Sequence, residues 1–120
     1  MGWEKWQRER VETVHKALLN ENHLVLVAEA DGKIVGVLHL IFYLDILLAA
    51  LNCHVNFLLV RKEYRGRKIG SKLLDIAVKK ARKKGAIEMH VDTIEAPNFY
   101  RKYGFKDDGV WLELSLLEKK

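Results

Sequence analysis

The chain has 120 residues, 49% of them hydrophobic, with 21 Lys and Arg against 16 Asp and Glu for a net charge of +5. That length and apolar content suit a single domain over residues 1–120 with one core, and they exclude a disordered chain. One cysteine, Cys53, excludes an internal disulfide framework and a cysteine-rich zinc module, so no metal site is expected and a reducing, cytoplasmic setting fits.

Residues 1–20 are charged throughout, which does not suit a signal peptide. Trp3 to Asn20 has helical spacing, with Val11, Val14, Leu18 and Trp6 near a 3.6 period. Leu24 to Ala30 reads as a strand, Asp31-Gly32 as a tight turn, and Lys33 to Tyr43 as the answering strand of a hairpin. The longest apolar stretch, Val35 to Leu51, is broken by His39 and Asp45 and falls short of the roughly 20 apolar residues of a membrane span, so no membrane contact is expected. Within it, Leu44–Leu51 does not alternate. It reads as a short helix or a strand extension, as core, or as a contact with a second copy of the chain.

Asn52 to Val60 is a further strand. Ile69 to Lys84 carries the clearest helical stripe, Leu73, Leu74, Ala77, Val78 and Ala81, closed by Gly85. Ala86 to Val91 reads as a short strand, Ala96 to Tyr103 as a short helix ended by Gly104, and Val110 to Leu117 as a last strand. The order predicts a mixed α/β (α+β) domain in which strand 53–60 crosses through helix 69–84 to a parallel strand 86–91.

The segment Val60 to Leu74, VRKEYRGRKIGSKLL, holds the most chemistry. It joins a strand to a helix through two glycines, Gly66 and Gly70, which let the backbone approach a ligand closely. The free N–H groups of the first helical turn and the positive end of the helix dipole favour an anion. Arg61, Arg65, Arg67 and Lys68 add charge, so a phosphate is the expected ligand; the bland alternative is an ordinary basic turn. Neither the Walker spacing nor G-x-G-x-x-G is present.

These residues resemble the GNAT family of N-acetyltransferases, whose acetyl-CoA loop has the form Q/R-x-x-G-x-G/A at a strand-to-helix junction. Arg65 and Gly70 match its first and last fixed positions, and Lys68 stands where the middle glycine is expected. Downstream, Ala96-Pro97-Asn98-Phe99-Tyr100-Arg101-Lys102-Tyr103-Gly104-Phe105 is similar to the family's A-x-x-[F/L]-Y-x-x-x-G-F helix and turn, with Thr93 where an asparagine is frequent. The resemblance runs from about Leu24 onward. It implies a GNAT-like acyl-CoA N-acyltransferase fold: a central mixed, mostly antiparallel sheet flanked by helices, here apparently without the family's N-terminal strand.

The activity so implied is transfer of an acetyl group from acetyl-CoA to a primary amine by direct attack in a ternary complex. Leu58, Leu59 and Val60 would grip the pantetheine arm, Arg65, Gly66, Arg67, Lys68, Ile69, Gly70 and Ser71 would hold the pyrophosphate, and Tyr100 would give the departing thiolate its proton. For the base, His54 is the named candidate, sharing a strand face with Asn56. His39 and Tyr43, on one face of the preceding strand, could line the amine pocket, and Asp92 and Glu95 could bind or deprotonate the amine. Cys53 reads as a buried hydrophobe rather than a nucleophile. Two rival readings remain at this point: an inactive CoA- or partner-binding domain, and a basic nucleic-acid binder carried by Lys79-Lys80-Ala81-Arg82-Lys83-Lys84. A homodimer through segment 44–51 or an uncovered sheet edge is a further expectation.

Overall fold

A computed structural model describes residues 3–93, 96–107 and 112–117. Four strands form one sheet in the order β1 (His23–Ala30), β2 (Lys33–Asp45), β3 (Ala50–Val60) and β4 (Met89–Val91). The first two junctions are antiparallel and β3–β4 is parallel, as the crossover through helix α2 (Ile69–Lys84) predicts. Helix α1 (Trp3–Leu18) packs on β1, and the short helix α3 (Pro97–Tyr103) follows β4.

The β1–β2 turn has Asp31 and Gly32 at φ of 54° and 74°, the left-handed pair that a two-residue hairpin requires. Alternation then sends Leu38, Leu40 and Phe42 of β2, with Cys53 and Val55 of β3, to one face. There they meet Leu73, Leu74, Ala77 and Ala81 of α2, and Tyr100 closes the cluster. The apolar stripe of α2 is thus the reason this helix lies on this face. The opposite face carries His39, Ile41, Tyr43, Asn52 and His54.

The sheet corrects several expectations. Segment 44–51 takes the strand-extension reading and not the helix, Leu44 pairing with Leu51 and Asp45 with Ala50. Both strands run into it and turn at 46–49, where Asp45 Oδ1 accepts the Leu48 N–H at 3.1 Å. Ile46 and Leu47 at its tip are 91% and 98% exposed. The strand expected at 86–91 shortens to Met89–Val91, because Ala86 and Ile87 give their N–H groups to Ala81 and Leu51 outside a ladder. The strand expected at 110–117 is absent over 112–117: Leu112, Leu114 and Leu116 are exposed and the segment pairs with no strand among the described residues. Residues 110 and 111 lie outside the described residues, as do the side chain of Trp6 and all of Glu95. No strand covers the outer edge of β1 among the described residues.

Candidate active site

The loop that leaves β3 is held from outside. After Val60 a single 3-10 turn (Lys62–Tyr64) carries the chain toward α2. Tyr64 is buried, and its hydroxyl donates to the Asp31 carboxylate at 2.6 Å. That bond holds the phenol proton and raises its pKa. The Arg67 guanidinium lies 4.8 Å from the Tyr64 ring centroid and the Lys33 ammonium 5.5 Å from it. Arg61 Nε donates to the Ile34 carbonyl and Arg65 Nε to that of Val60. Among the described residues, none of Arg61, Arg65, Arg67 and Lys68 has a carboxylate partner, so the loop's positive charge is uncompensated.

The loop reaches the helix through two left-handed residues, Gly66 at φ 81° and Lys68 at φ 63°. Lys68 is the N-cap of α2 and offers no side-chain cap. The first intrahelical bond runs from the Lys72 N–H to the Lys68 carbonyl, which leaves the N–H groups of Ile69, Gly70 and Ser71 ahead of it. No acidic side chain stands in the first turn. The arrangement suits an anion. It also explains the lysine at a glycine position: the backbone keeps the left-handed shape and the side chain bears the strain. That strain is about 1–2 kcal/mol for a residue with a Cβ, partly offset in glycine by about 0.5–1 kcal/mol of chain entropy. Lys68→Gly should therefore raise the urea midpoint slightly, and a lowered midpoint would refute the strain.

A fork opens beside this loop. β3 pairs with β4 only over Cys53–Val55. Asn56, the next residue, is a bulge: His39 faces Phe57 and Leu40 faces Val55, with Asn56 between them unpaired. Beyond the bulge the Arg61 N–H bonds the Val35 carbonyl. Alternation then gives the backbone groups of Leu59 to Val37, and turns those of Leu58 and Val60 to the side that β4 has left. The Val60 carbonyl there receives Arg65. This leaves Leu58 and the Val60 N–H to meet an extended ligand arm.

Helix α3 is set over the same place. A Cβ on Gly70 would stand 3.2 Å from Phe99 Cζ and 3.7 Å from Leu58 Cδ2, so α2, α3 and β3 converge there. Tyr103 fastens α3 to α2 by donating to Asp75 at 2.7 Å, and its phenol is pushed up to about 12, mainly by burial. Tyr100 packs edge-on against Phe99 and Phe105. Its ring is 7% exposed, yet its hydroxyl is not sealed from solvent and bonds no other described residue. Burial raises its pKa, so the phenol holds its proton at neutral pH. Gly70→Ala should push Phe99 and α3 aside. A loss of about 1–3 kcal/mol in stability is expected, together with lowered activity. Unchanged stability and activity would show that α3 yields freely.

His54, His39 and Asn52 lie on the sheet face away from α2. His54 stands opposite His90 in the β3–β4 register and is held below the usual histidine range by burial and by His90, against the pull of Asp92. His39 is likewise lowered, by burial and then by His23. Asn52 is buried but satisfied by the Cys53 N–H and Glu88. Cys53 is fully buried, its thiol pushed up to about 11 by burial and donating to the Glu88 carbonyl. Such a thiol is core, not nucleophile. Thr93 Oγ1 accepts the Ala96 N–H at the entry to α3. The sequence reading did not single out Asp31 or Tyr64 as supports of the loop. A turn aspartate and an aromatic just before the basic run were the available signals.

The model of the acetyltransferase (GNAT) domain matches residues 21–107. The chain belongs to the GNAT acetyltransferase family. A putative [ribosomal protein bS18]-alanine N-acetyltransferase of Bacillus subtilis (strain 168) is 29% identical over 100 residues, covering 80% of this chain and 62% of that protein. The chain thus spans less than two thirds of that relative's length. A structure described as a transcriptional regulator from Bacillus halodurans C-125 has a TM-score of 0.79 at 24% identity, covering 88% of this chain and 74% of that one. The ribosomal-protein-alanine N-acetyltransferase from Brucella melitensis biovar Abortus 2308 has a TM-score of 0.74 at 17% identity, covering 88% and 79%. The GNAT fold is therefore the fold of this chain.

Proposed function

We propose that the protein moves an acetyl group from acetyl-CoA to a primary amine by direct attack in a ternary complex. One observation carries this reading: the uncapped amides of α2, the open strand fork at Leu58 and helix α3, which carries the unbonded Tyr100 hydroxyl, converge around Gly70. Arg65, Arg67 and the amides of Ile69, Gly70 and Ser71 would hold the pyrophosphate, and Leu58 and Val60 the pantetheine arm. Amides on the open side of β3 would also polarise the thioester carbonyl. The inert Cys53 thiol favours direct attack over a covalent acyl intermediate.

The acceptor we propose is the α-amine of a protein or peptide beginning with alanine, the amine named for the Bacillus subtilis relative. An α-amine titrates at about 7.7–8.0, against about 10.4 for lysine. A useful fraction is already free base near neutrality, so a weak base suffices. A homodimer through the exposed tip of segment 44–51 and a cytoplasmic setting belong to the same proposal. The test is calorimetric titration with acetyl-CoA, followed by thiol release with an alanine-terminated peptide, lysine peptides, polyamines and small amines. Binding plus alanine-peptide turnover is expected. Absence of acetyl-CoA binding would overturn the enzyme reading, and turnover only with another amine would replace the acceptor.

A further inference from the structure

At the β3 bulge, three side chains from three strands make one hydrogen-bonded row. Asn56 Nδ2 lies 3.1 Å from His39 Nδ1, and His39 Nε2 lies 2.8 Å from His23 Nδ1. The imidazole planes are 18° apart. An amide nitrogen only donates, so His39 Nδ1 accepts and the His39 hydrogen sits on Nε2, facing the lone pair of His23 Nδ1. Every contact is satisfied with both rings neutral. All remain satisfied after one proton is added, provided the Asn56 amide turns over to offer Oδ1 to the new His39 Nδ1–H. The row is therefore a one-proton store with a defined entrance, and that entrance is the residue at which β3 and β4 part.

The surroundings keep the store reversible. Among the described residues no carboxylate lies within ion-pair distance of His23 or His39 to trap an added proton. Burial and His23 together favour neutral His39. Among the described residues, the other titratable groups of the sheet on this side are Glu29, Tyr43, Asp45, His54 and His90. Helix α1, packed on β1, adds Arg10, Glu12, His15 and Lys16.

We propose that this row accepts the proton released by the attacking amine. His39 Nδ1 receives it, Asn56 turns over in response, and His23 is a positioning residue that fixes the His39 tautomer and shares the charge. The inference rests on the acetyl-transfer reading above. As the step runs, the amine nitrogen bonds the thioester carbonyl carbon and the carbon–sulfur bond breaks. Sulfur takes the Tyr100 proton, and the ammonium proton passes to His39. Return of one proton from the row to Tyr100 through solvent leaves amide and free thiol as the net products.

The test is the pH dependence of kcat/KM with an alanine-terminated peptide, measured on the whole chain. Activity needs a neutral row and a free amine, so below the usual histidine range the wild-type logarithmic profile should fall with a slope near two. His39→Gln should fall with a slope near one and be roughly 100-fold slower at neutral pH, the scale of a lost general base. His23→Gln should keep the steeper limb with a shifted midpoint. Nitrogen-15 imidazole spectra of the wild-type protein should show His39 as the Nε2–H tautomer and one proton shared by the two rings. Equal slopes for wild type and His39→Gln, or two rings titrating independently, would overturn the row. Calorimetry separates the failures. Normal acetyl-CoA binding with equal slopes refutes the row alone, whereas absent binding refutes the transfer reading and the row with it.

Discussion

Replacing Tyr100 with phenylalanine should lower turnover at least about tenfold, as expected for a lost general acid, and leave acetyl-CoA affinity within about twofold. The two effects separate because the ring and the hydroxyl do different things. The ring closes the core against Phe99 and Phe105, and phenylalanine keeps that packing. The hydroxyl supports no other described residue, so removing it breaks no structural hydrogen bond. Its raised pKa keeps it protonated in the range where a thiolate leaves. Single-turnover thiol release and a calorimetric titration on the same variant check both halves. Unchanged turnover would remove the donor role, and a parallel loss of affinity would make Tyr100 a positioning group.

Charge reversal of Arg65 and Arg67 together should weaken acetyl-CoA binding by roughly 100-fold at low ionic strength, the scale of removing two charge-assisted hydrogen bonds. The deficit should shrink as salt is added, because an exposed loop is screened over about 10 Å at 0.1 M. The two arginines are not equivalent. Arg65 is tied by its Nε to the Val60 carbonyl, on the side of β3 that β4 has left. Arg67 lies on the Tyr64 ring and contributes charge from further back. Arg65→Glu alone should therefore account for most of the loss. A variant that binds as wild type at every salt concentration would show that the helix amides alone suffice.

The elements that hold this site were readable because their residues combine local signals that agree. The stripe from Leu73 to Ala81 with Gly85 behind it defined α2 to the residue, and Asp31-Gly32 defined the hairpin turn. The junction from Arg65 to Ser71 was readable as a basic turn into an uncapped helix start, which is what the structure has. The bulge was not, since Asn56 differs from its neighbours only in how a distant strand pairs with it. His23 and His39 meet across 16 residues, and only the β1–β2 register brings them together. Leu112, Leu114 and Leu116 alternate like a strand, but alternation supplies a face and not a partner. The turn at 46–49 hid among apolar residues, with Asp45 its one polar marker.

The phenol–carboxylate bond between Tyr64 and Asp31 spans 33 residues of chain and makes a hairpin tip into a strut for the basic loop ahead of α2. Mutational scans of this protein should then find Asp31 sensitive in cosubstrate affinity although it sits on a solvent-facing turn. Asp31→Ala would loosen the strut and raise the Kd for acetyl-CoA with little change in turnover at saturation. A hairpin of this kind is a lever: its far end tunes grip without touching the bond that is made.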